Sequence, residues 1–217
     1  MKIKWNGHAS FTITAAGGTV IVTDPYESGG FDGALAYGPV DDRADVALIS
    51  HDHADHNHPH DLQGQPKILK GAGEAGGIKF NTVAAAHDTE GGKSRGQNTL
   101  FSFTVDGVSV AFLGDLGHLL SPEQIKALGR VDVLLLPVGG FFTIDAGAAA
   151  KIVDQLSPRL VIPMHYKTAK CKFPISNEED FARHMTRVKK LGQSEVELKS
   201  ETLPKVGPEV WILDYAR

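Results

Sequence analysis

A chain of 217 residues, 41% hydrophobic and 22% charged, has the apolar content for one well-filled core, which excludes a disordered chain and predicts a single domain over 1–217. Its formal charge of −4, from 22 basic and 26 acidic residues, argues against a protein built to coat nucleic acid. One cysteine, Cys171, cannot form an internal disulfide, no run approaches the length of a membrane span, and "MKIKWNGHASF" has no leader pattern; the expectation is a cytoplasmic protein without membrane attachment.

In chain order, "KIKW", "HASFTIT" and "TVIVTD" read as short strands parted by Gly7 and by the pair Gly17 and Gly18. Residues 26–44 read as loop, and "DVALIS" at 45–50 is a compact apolar strand. The segments "KILK" at 67–70, "IKFNTVAAA" at 78–86, "TLFSFTV" at 99–105 and "VSVAFLG" at 108–114 continue the strand pattern. Asp106 and Gly107 join the last two as a favoured hairpin dipeptide. Ser121, Pro122 and Gln124 fit the N-cap, N1 and N3 positions of a short helix. A stronger helix, "DAGAAAKIVDQL" at 145–156, is stopped by Pro158. Ser176 and Glu179 repeat the capping-box pattern and predict a helix ending near Gly192. The nearly continuous apolar runs "VDVLLLPV" at 131–138 and "RLVIPM" at 159–164 predict strands buried on both faces, and "EVWILDY" at 209–215 a last strand. Strands first, then strands alternating with helices, indicate a layered α/β or α+β fold.

The stretch "SHDHADHNHPHD" at 50–61 carries five of the ten histidines and no apolar stripe. His51 and His53 follow "DVALIS", His87 follows "NTVAAA", Asp115 follows "VAFLG", His165 follows "LVIPM", and His8 comes after the opening strand. Loops at the carboxyl ends of strands converge while the strands fix their bases, so donors placed there gather at one site. A dinuclear hydrolytic centre needs nitrogen and oxygen ligands for two ions, a bridging carboxylate and open positions. His51, His53 and His87 can serve one ion, Asp55, His56 and His165 the other, with Asp115 between them. The absence of thiolates favours zinc, with manganese, nickel or iron as alternatives, over copper(I) or an iron–sulfur cluster. Asp55 is expected to orient the nucleophile as well as ligate. His8, Asp88 and His118 are candidates for proton transfer or for orienting the ligands, although His118 also fits a turn residue held by backbone groups. Lys93, Arg95 and Lys167 are candidates for holding an anionic substrate, and Asp24 for tying the early loop to the site. His58, His60 and His184 read as solvent-facing or supporting residues, and Cys171 as a bystander.

"HDHADH" matches the H-x-H-x-D-H signature of the metallo-beta-lactamase superfamily. "GHASFTI", "TDP", "HDTEGG", "RGQNTLFSF", "FLGDLGH", "VDVLLLPVGG" and "VIPMHYKT" occur in order around it. Together they resemble the small metal-dependent hydrolases of that superfamily related to the ascorbate-6-phosphate lactonase type, over nearly the whole chain. The resemblance implies a four-layer αββα sandwich, two mixed sheets face to face with helices outside, and a site along one edge of the sheets. It implies the same ligand assignment: His51, His53 and His87 for one ion, Asp55, His56 and His165 for the second, Asp115 bridging.

These readings predict a hydrolase that uses two divalent transition-metal ions on an ester, lactone or phosphoester of a small molecule. The rival class is a metal-containing metabolite-binding or regulatory protein with little turnover. Nuclease activity is the outside reading, because no basic stripe interleaved with aromatics is present and the core accounts for most of the chain. The expected partners are a small-molecule substrate and, if any protein, another copy of the chain; neither nucleic acid nor membrane is expected.

Overall fold

The computed structural model describes all 217 residues, in two sheets packed face to face. The first sheet comprises β1 (Lys2–Gly7), β2 (Ser10–Thr14), β3 (Val20–Thr23), β4 (Val46–Leu48), β5 (Lys67–Leu69) and β13 (Glu195–Glu197), in the order β13-β1-β2-β3-β4-β5. The second comprises β6 (Gly73–Ala75), β7 (Ile78–Ala86), β8 (Gln97–Val105), β9 (Val108–Phe112), β10 (Val133–Pro137), β11 (Leu160–Met164), β12 (Val188–Lys190) and β14 (Glu209–Ile212). Its order is β12-β14-β11-β10-β9-β8-β7-β6.

Strand alternation explains the layering. On β3 and β4 the paired residues Ile21 and Val46 face the large core between the sheets, whereas the next pair, Val22 and Ala47, faces the opposite side. The large core gathers 48 buried residues from both sheets; the second, of 11, lies outside the first sheet. There the cover is residues 26–44, with the single turn α1 (Gly30–Gly33), and Cys171, Phe173 and Ile175. On the second sheet, β10 is parallel to both neighbours and all five of its residues are buried, as its unbroken apolar run requires. Helix α2 (Pro122–Leu128) lies against β7, and α3 (Ala146–Leu156) against α4 (Glu178–Ala182). The result is the mixed α/β, αββα sandwich expected from the sequence.

The local signals act as their chemistry demands. Asp106 and Gly107 both adopt positive φ, 50° and 74°, at the β8–β9 hairpin. Ser121 and Gln124 exchange side-chain and backbone hydrogen bonds in a full capping box, and Asp145 caps α3 by accepting from the Ala148 amide. One expectation fails. The helix begun near Ser176 stops at Ala182 instead of Gly192, and its cap is Asn177, whose side chain accepts from the Glu179 amide. Residues 188–190 form β12, parallel to β14. The free edge of β14 offers the backbone of this segment a partner, with the Val210 amide donating to Arg187 O at 2.8 Å, and this outweighs a weak helical preference. Short strands β6 and β13 carry no sequence signal of their own; they pair with β7 and β1 at the sheet margins.

Candidate metal centre

The carboxyl ends of strands from both sheets meet along one edge, and the backbone joins them there. The His165 amide, after β11, donates to His8 O, after β1, at 3.0 Å. His8 and His165 both hold positive φ, 52° and 51°, a sparsely populated region for residues other than glycine. Gly114 at φ 47° precedes Asp115; a Cβ there would stand 2.5 Å from Ser50 Cβ and Asn98 Oδ1. Close approach at this point requires glycine. The same holds for Gly139, where a Cβ would lie 2.2 Å from His165 O.

Two donor groups form, each with its ligand atoms within 4.8 Å of one another: His51, His53 and His87, and His8, Asp55, His56 and His165. Asp115 lies between them. Its Oδ2 is 3.1 Å from His87 Nε2 and 4.0 Å from His51 Nε2 on one side, and 3.1 Å from His56 Nε2 and 3.3 Å from His165 Nε2 on the other. The residues that the sequence assigns to metal are thus brought together, and His8 joins them, its Nε2 3.1 Å from Asp55 Oδ2.

The electrostatics call for positive charge. Burial resists ionisation of Asp115, yet the neighbouring His165 and His56 hold its carboxyl well below the usual carboxylate range. Asp55 is likewise held low against burial, by His56 and then by His8. Burial lowers His56, but Asp115 and Asp55 outweigh it and raise this imidazole well above its ordinary value. His51 is pushed down to about 2 and His8 to about 4, chiefly by burial, so both rings are neutral and offer lone pairs. Several buried polar atoms here lack a hydrogen-bond partner: His56 Nε2, Asp115 Oδ1, and Nδ1 of His8, His87 and His165. Unpaired buried groups cost about 1–3 kcal/mol each, and a cation at the centre would accept the lone pairs of His56 Nε2 and of the Asp115 carboxylate, whereas Nδ1 of His87 and His165 lies on the far side of rings whose Nε2 faces Asp115. The residues fit divalent metal ions.

Behind the donors stands a supporting layer. Asp24, fully buried, accepts from the Ser50 amide at 2.8 Å, from Ser50 Oγ–H at 2.5 Å and from His56 Nδ1–H at 2.8 Å. A proton held on Nδ1 turns the His56 Nε2 lone pair toward the centre. Ser50 Oγ also lies 2.9 Å from His51 Nδ1, so Asp24 reaches both donor groups. Asn98 is the residue that sequence reasoning missed: its Oδ1 accepts from the Asp115 amide at 3.1 Å while its Nδ2 donates to Leu113 O at 2.9 Å. A buried polar residue in a strand was the available signal, and it is a weak one.

Two candidates have other duties. His118 accepts from the Ala86 amide through Nε2 at 3.0 Å and donates through Nδ1 to Leu119 O at 2.8 Å, which occupies both ring nitrogens. The Asp88 carboxylate accepts from the amides of Glu90, Gly92, Ser94 and Arg95 at 2.7 to 2.9 Å, and these bonds hold its carboxyl below the usual range. Their contacts are those of loop organisers and do not support proton transfer. Lys167 Nζ is engaged by Phe173 O at 2.6 Å, Lys93 lies at an intermediate-to-exposed loop, and Arg95 lines the cleft above the donors. His60 and His184 are exposed and His58 is partly so. Cys171 is buried in the smaller core.

Comparisons with known proteins agree with this geometry. The family described as the beta-lactamase superfamily domain matches residues 2–165. A UPF0173 metal-dependent hydrolase of Archaeoglobus fulgidus is 31% identical, over 84% of this chain and 90% of its own length. Another, of Thermococcus onnurineus, is 33% identical over 77% of this chain and 85% of its own. A crystal structure from Thermotoga maritima, described as a candidate Zn-dependent hydrolase of the metallo-beta-lactamase superfamily, superposes with a TM-score of 0.79 at 34% identity, covering 98% of this chain and 97% of that one. On the matched domain, the sandwich and the two donor groups, the chain belongs to the metallo-beta-lactamase superfamily, among its small UPF0173-like metal-dependent hydrolases.

Proposed function

We propose that the protein hydrolyses a small ester, lactone or phosphoester at a dinuclear centre. In this reading His51, His53 and His87 hold one ion, Asp55, His56 and His165 the other, and Asp115 is shared. The observation that carries the proposal is the position of Asp115 Oδ2, within 4.0 Å of imidazole nitrogens from both groups. Zinc suits the nitrogen and oxygen donors, and manganese, nickel and iron remain alternatives. Bound there, two divalent ions would supply a water ionised near neutral pH and a sink for oxyanion charge.

The chain's own residues do the positioning. Asp24 fixes the tautomer of His56 and, through Ser50, the ring of His51. His8 Nε2 donates to Asp55 Oδ2 and holds that carboxylate in place for ligation and for orienting a water. Asn98 holds the Asp115 backbone. The cleft over the donors measures about 480 Å³, a size suited to a small molecule. A single-domain organisation over 1–217 is supported by one core that takes residues from Met1 to Leu213. No helix is long and apolar enough to cross a membrane, and a cytoplasmic location is part of the same proposal.

A screen of lactones, phosphodiesters, phosphomonoesters, thioesters and beta-lactams, with zinc, manganese, nickel and iron supplied separately, tests the proposal. Asp55→Asn runs beside each positive and is expected to lose turnover more completely than substrate affinity. Metal-loaded protein that turns over nothing yet binds a metabolite tightly would make the binding-protein class the better description.

A further inference from the structure

The wall of the cleft is built differently from its floor. Phe31, Phe173, Phe142 and Phe141 form a chain of edge-to-face ring contacts, with centroids 5.3, 5.7 and 4.7 Å apart. The chain reaches the donor groups, because the Phe173 ring stands 5.7 Å from that of His8. At the two ends of the chain Phe31 is 49% exposed and Phe141 62% exposed, and both hold positive φ, 55° and 61°. A bulky residue in that region is an outlier that costs free energy, yet here it keeps two apolar rings at the surface beside the cleft.

Facing this wall is a single permanent cation. Arg95 is the one lysine or arginine lining the main cleft, with its guanidinium carbon 5.7 Å from the centre of the Phe142 ring. No carboxylate pairs with it. Asp52, on the same cleft, is paired with Lys70 and also accepts from Asn57 Nδ2 at 2.8 Å. The placement of Arg95 is fixed from behind, since its amide donates to Asp88 Oδ2 at 2.8 Å and the whole 88–95 turn winds about that carboxylate. An unpaired guanidinium on an aromatic face, held by a rigid turn and aimed into a cleft, is suited to an oxyanion.

We propose that the site takes an anionic substrate with a flat apolar body, such as an aryl ester or aryl-substituted lactone bearing a carboxylate or phosphate, its ring against Phe31, Phe142 and Phe173 and its anionic group on Arg95. This rests on the hydrolase reading for its reaction but not for its binding preference. The volume of about 480 Å³ admits one or two rings.

Calorimetric titration of the metal-loaded protein with benzoate, phenylphosphonate, benzyl alcohol, acetate and inorganic phosphate tests the proposal, because the metals are constant across variants. Benzoate and phenylphosphonate are expected to bind Arg95→Gln roughly tenfold more weakly than the parent, with benzyl alcohol unchanged. Phe142→Ala is expected to weaken both aryl anions about fivefold while leaving acetate and inorganic phosphate unchanged. Phe31→Ala, at a half-exposed position, provides the same reading if Phe142→Ala folds poorly, and thermal melts check each variant. The ratio of benzoate to phenylphosphonate affinity separates carboxylate from phosphate as the anion. Equal affinity of the aryl anions for parent and Arg95→Gln, or equal loss of acetate and benzoate in the phenylalanine variants, overturns the proposal. The two readings fail separately. A protein that binds aryl anions in this pattern and hydrolyses nothing keeps this inference and loses the hydrolase; one that hydrolyses short neutral esters as fast as aryl anions, regardless of Arg95, does the reverse.

Discussion

The two donor groups differ in how they are made. His51 and His53 come from one short loop, with His53 exposed and its Nδ1 2.9 Å from His51 Nε2; only His87 is brought from elsewhere. His8, Asp55, His56 and His165 come from three distant parts of the chain, and all four are buried. Both groups take two ligands from the 51–56 loop and both span the two sheets, but the first has one member, His53, at solvent. The second is buried throughout, and its members are supported by one another and by Asp24. A ligand at solvent favours exchange, whereas burial of every ligand favours retention.

The largest effect expected is that of Asp115→Ala. It removes the carboxylate shared by both groups, so elemental analysis should find neither ion retained and turnover should fall by roughly 10³-fold or more. Retention of one full equivalent would show that Asp115 belongs to one group only and would break the comparison. Asp24→Asn comes next. It keeps the side-chain volume but disturbs acceptors used by Ser50 and His56, and metal affinity should fall roughly 10- to 100-fold at both groups in competition titrations.

Two smaller effects sharpen the difference. Ser50→Ala leaves the Asp24–His56 hydrogen bond and removes the support of His51, so about tenfold of affinity should be lost at the exposed group alone. A limited dose of a weak chelator should likewise strip the His51, His53 and His87 group first and leave a plateau near one ion per chain; metal loss in one step would contradict the distinction. Smallest is His118→Ala, which touches neither group. It leaves the Ala86 amide without its acceptor and should lower stability by about 1–2 kcal/mol in denaturant titration, with metal content unchanged.

Two ligands of each group were legible from one motif. "HDHADH" puts His51 and His53 of the first group and Asp55 and His56 of the second at fixed short spacing after an apolar strand, and a loop needs little from the remainder of the fold to present them. Asp115, His87 and His165 were readable because each follows a strand, a position that converges with others in an α/β sheet. Of the two roles open to His118, the contacts fit the turn residue held by backbone groups, and the reading of His118 and Asp88 as proton-transfer or ligand-orienting groups rests on nearness in sequence to Asp115 and His87. Nearness says nothing about hydrogen bonds, and the backbone amides of Ala86 and of residues 90–95 claim both side chains.

The sequence by itself determined the elements whose signals are local: the hairpin at Asp106 and Gly107, the capping box at Ser121, the buried strands β10 and β11, and the donor types. Each depends on backbone preference, capping chemistry or alternation within a few residues. Tertiary structure alone decided that 188–190 pairs with β14 instead of extending α4, because the gain lies in a partner more than twenty residues away. It also decided that His8 joins Asp55, that Asn98 holds Asp115, and that three phenylalanines and Arg95 wall one cleft. Those arrangements are made of contacts between segments distant in the chain, which only the packing of one sheet on the other brings within reach.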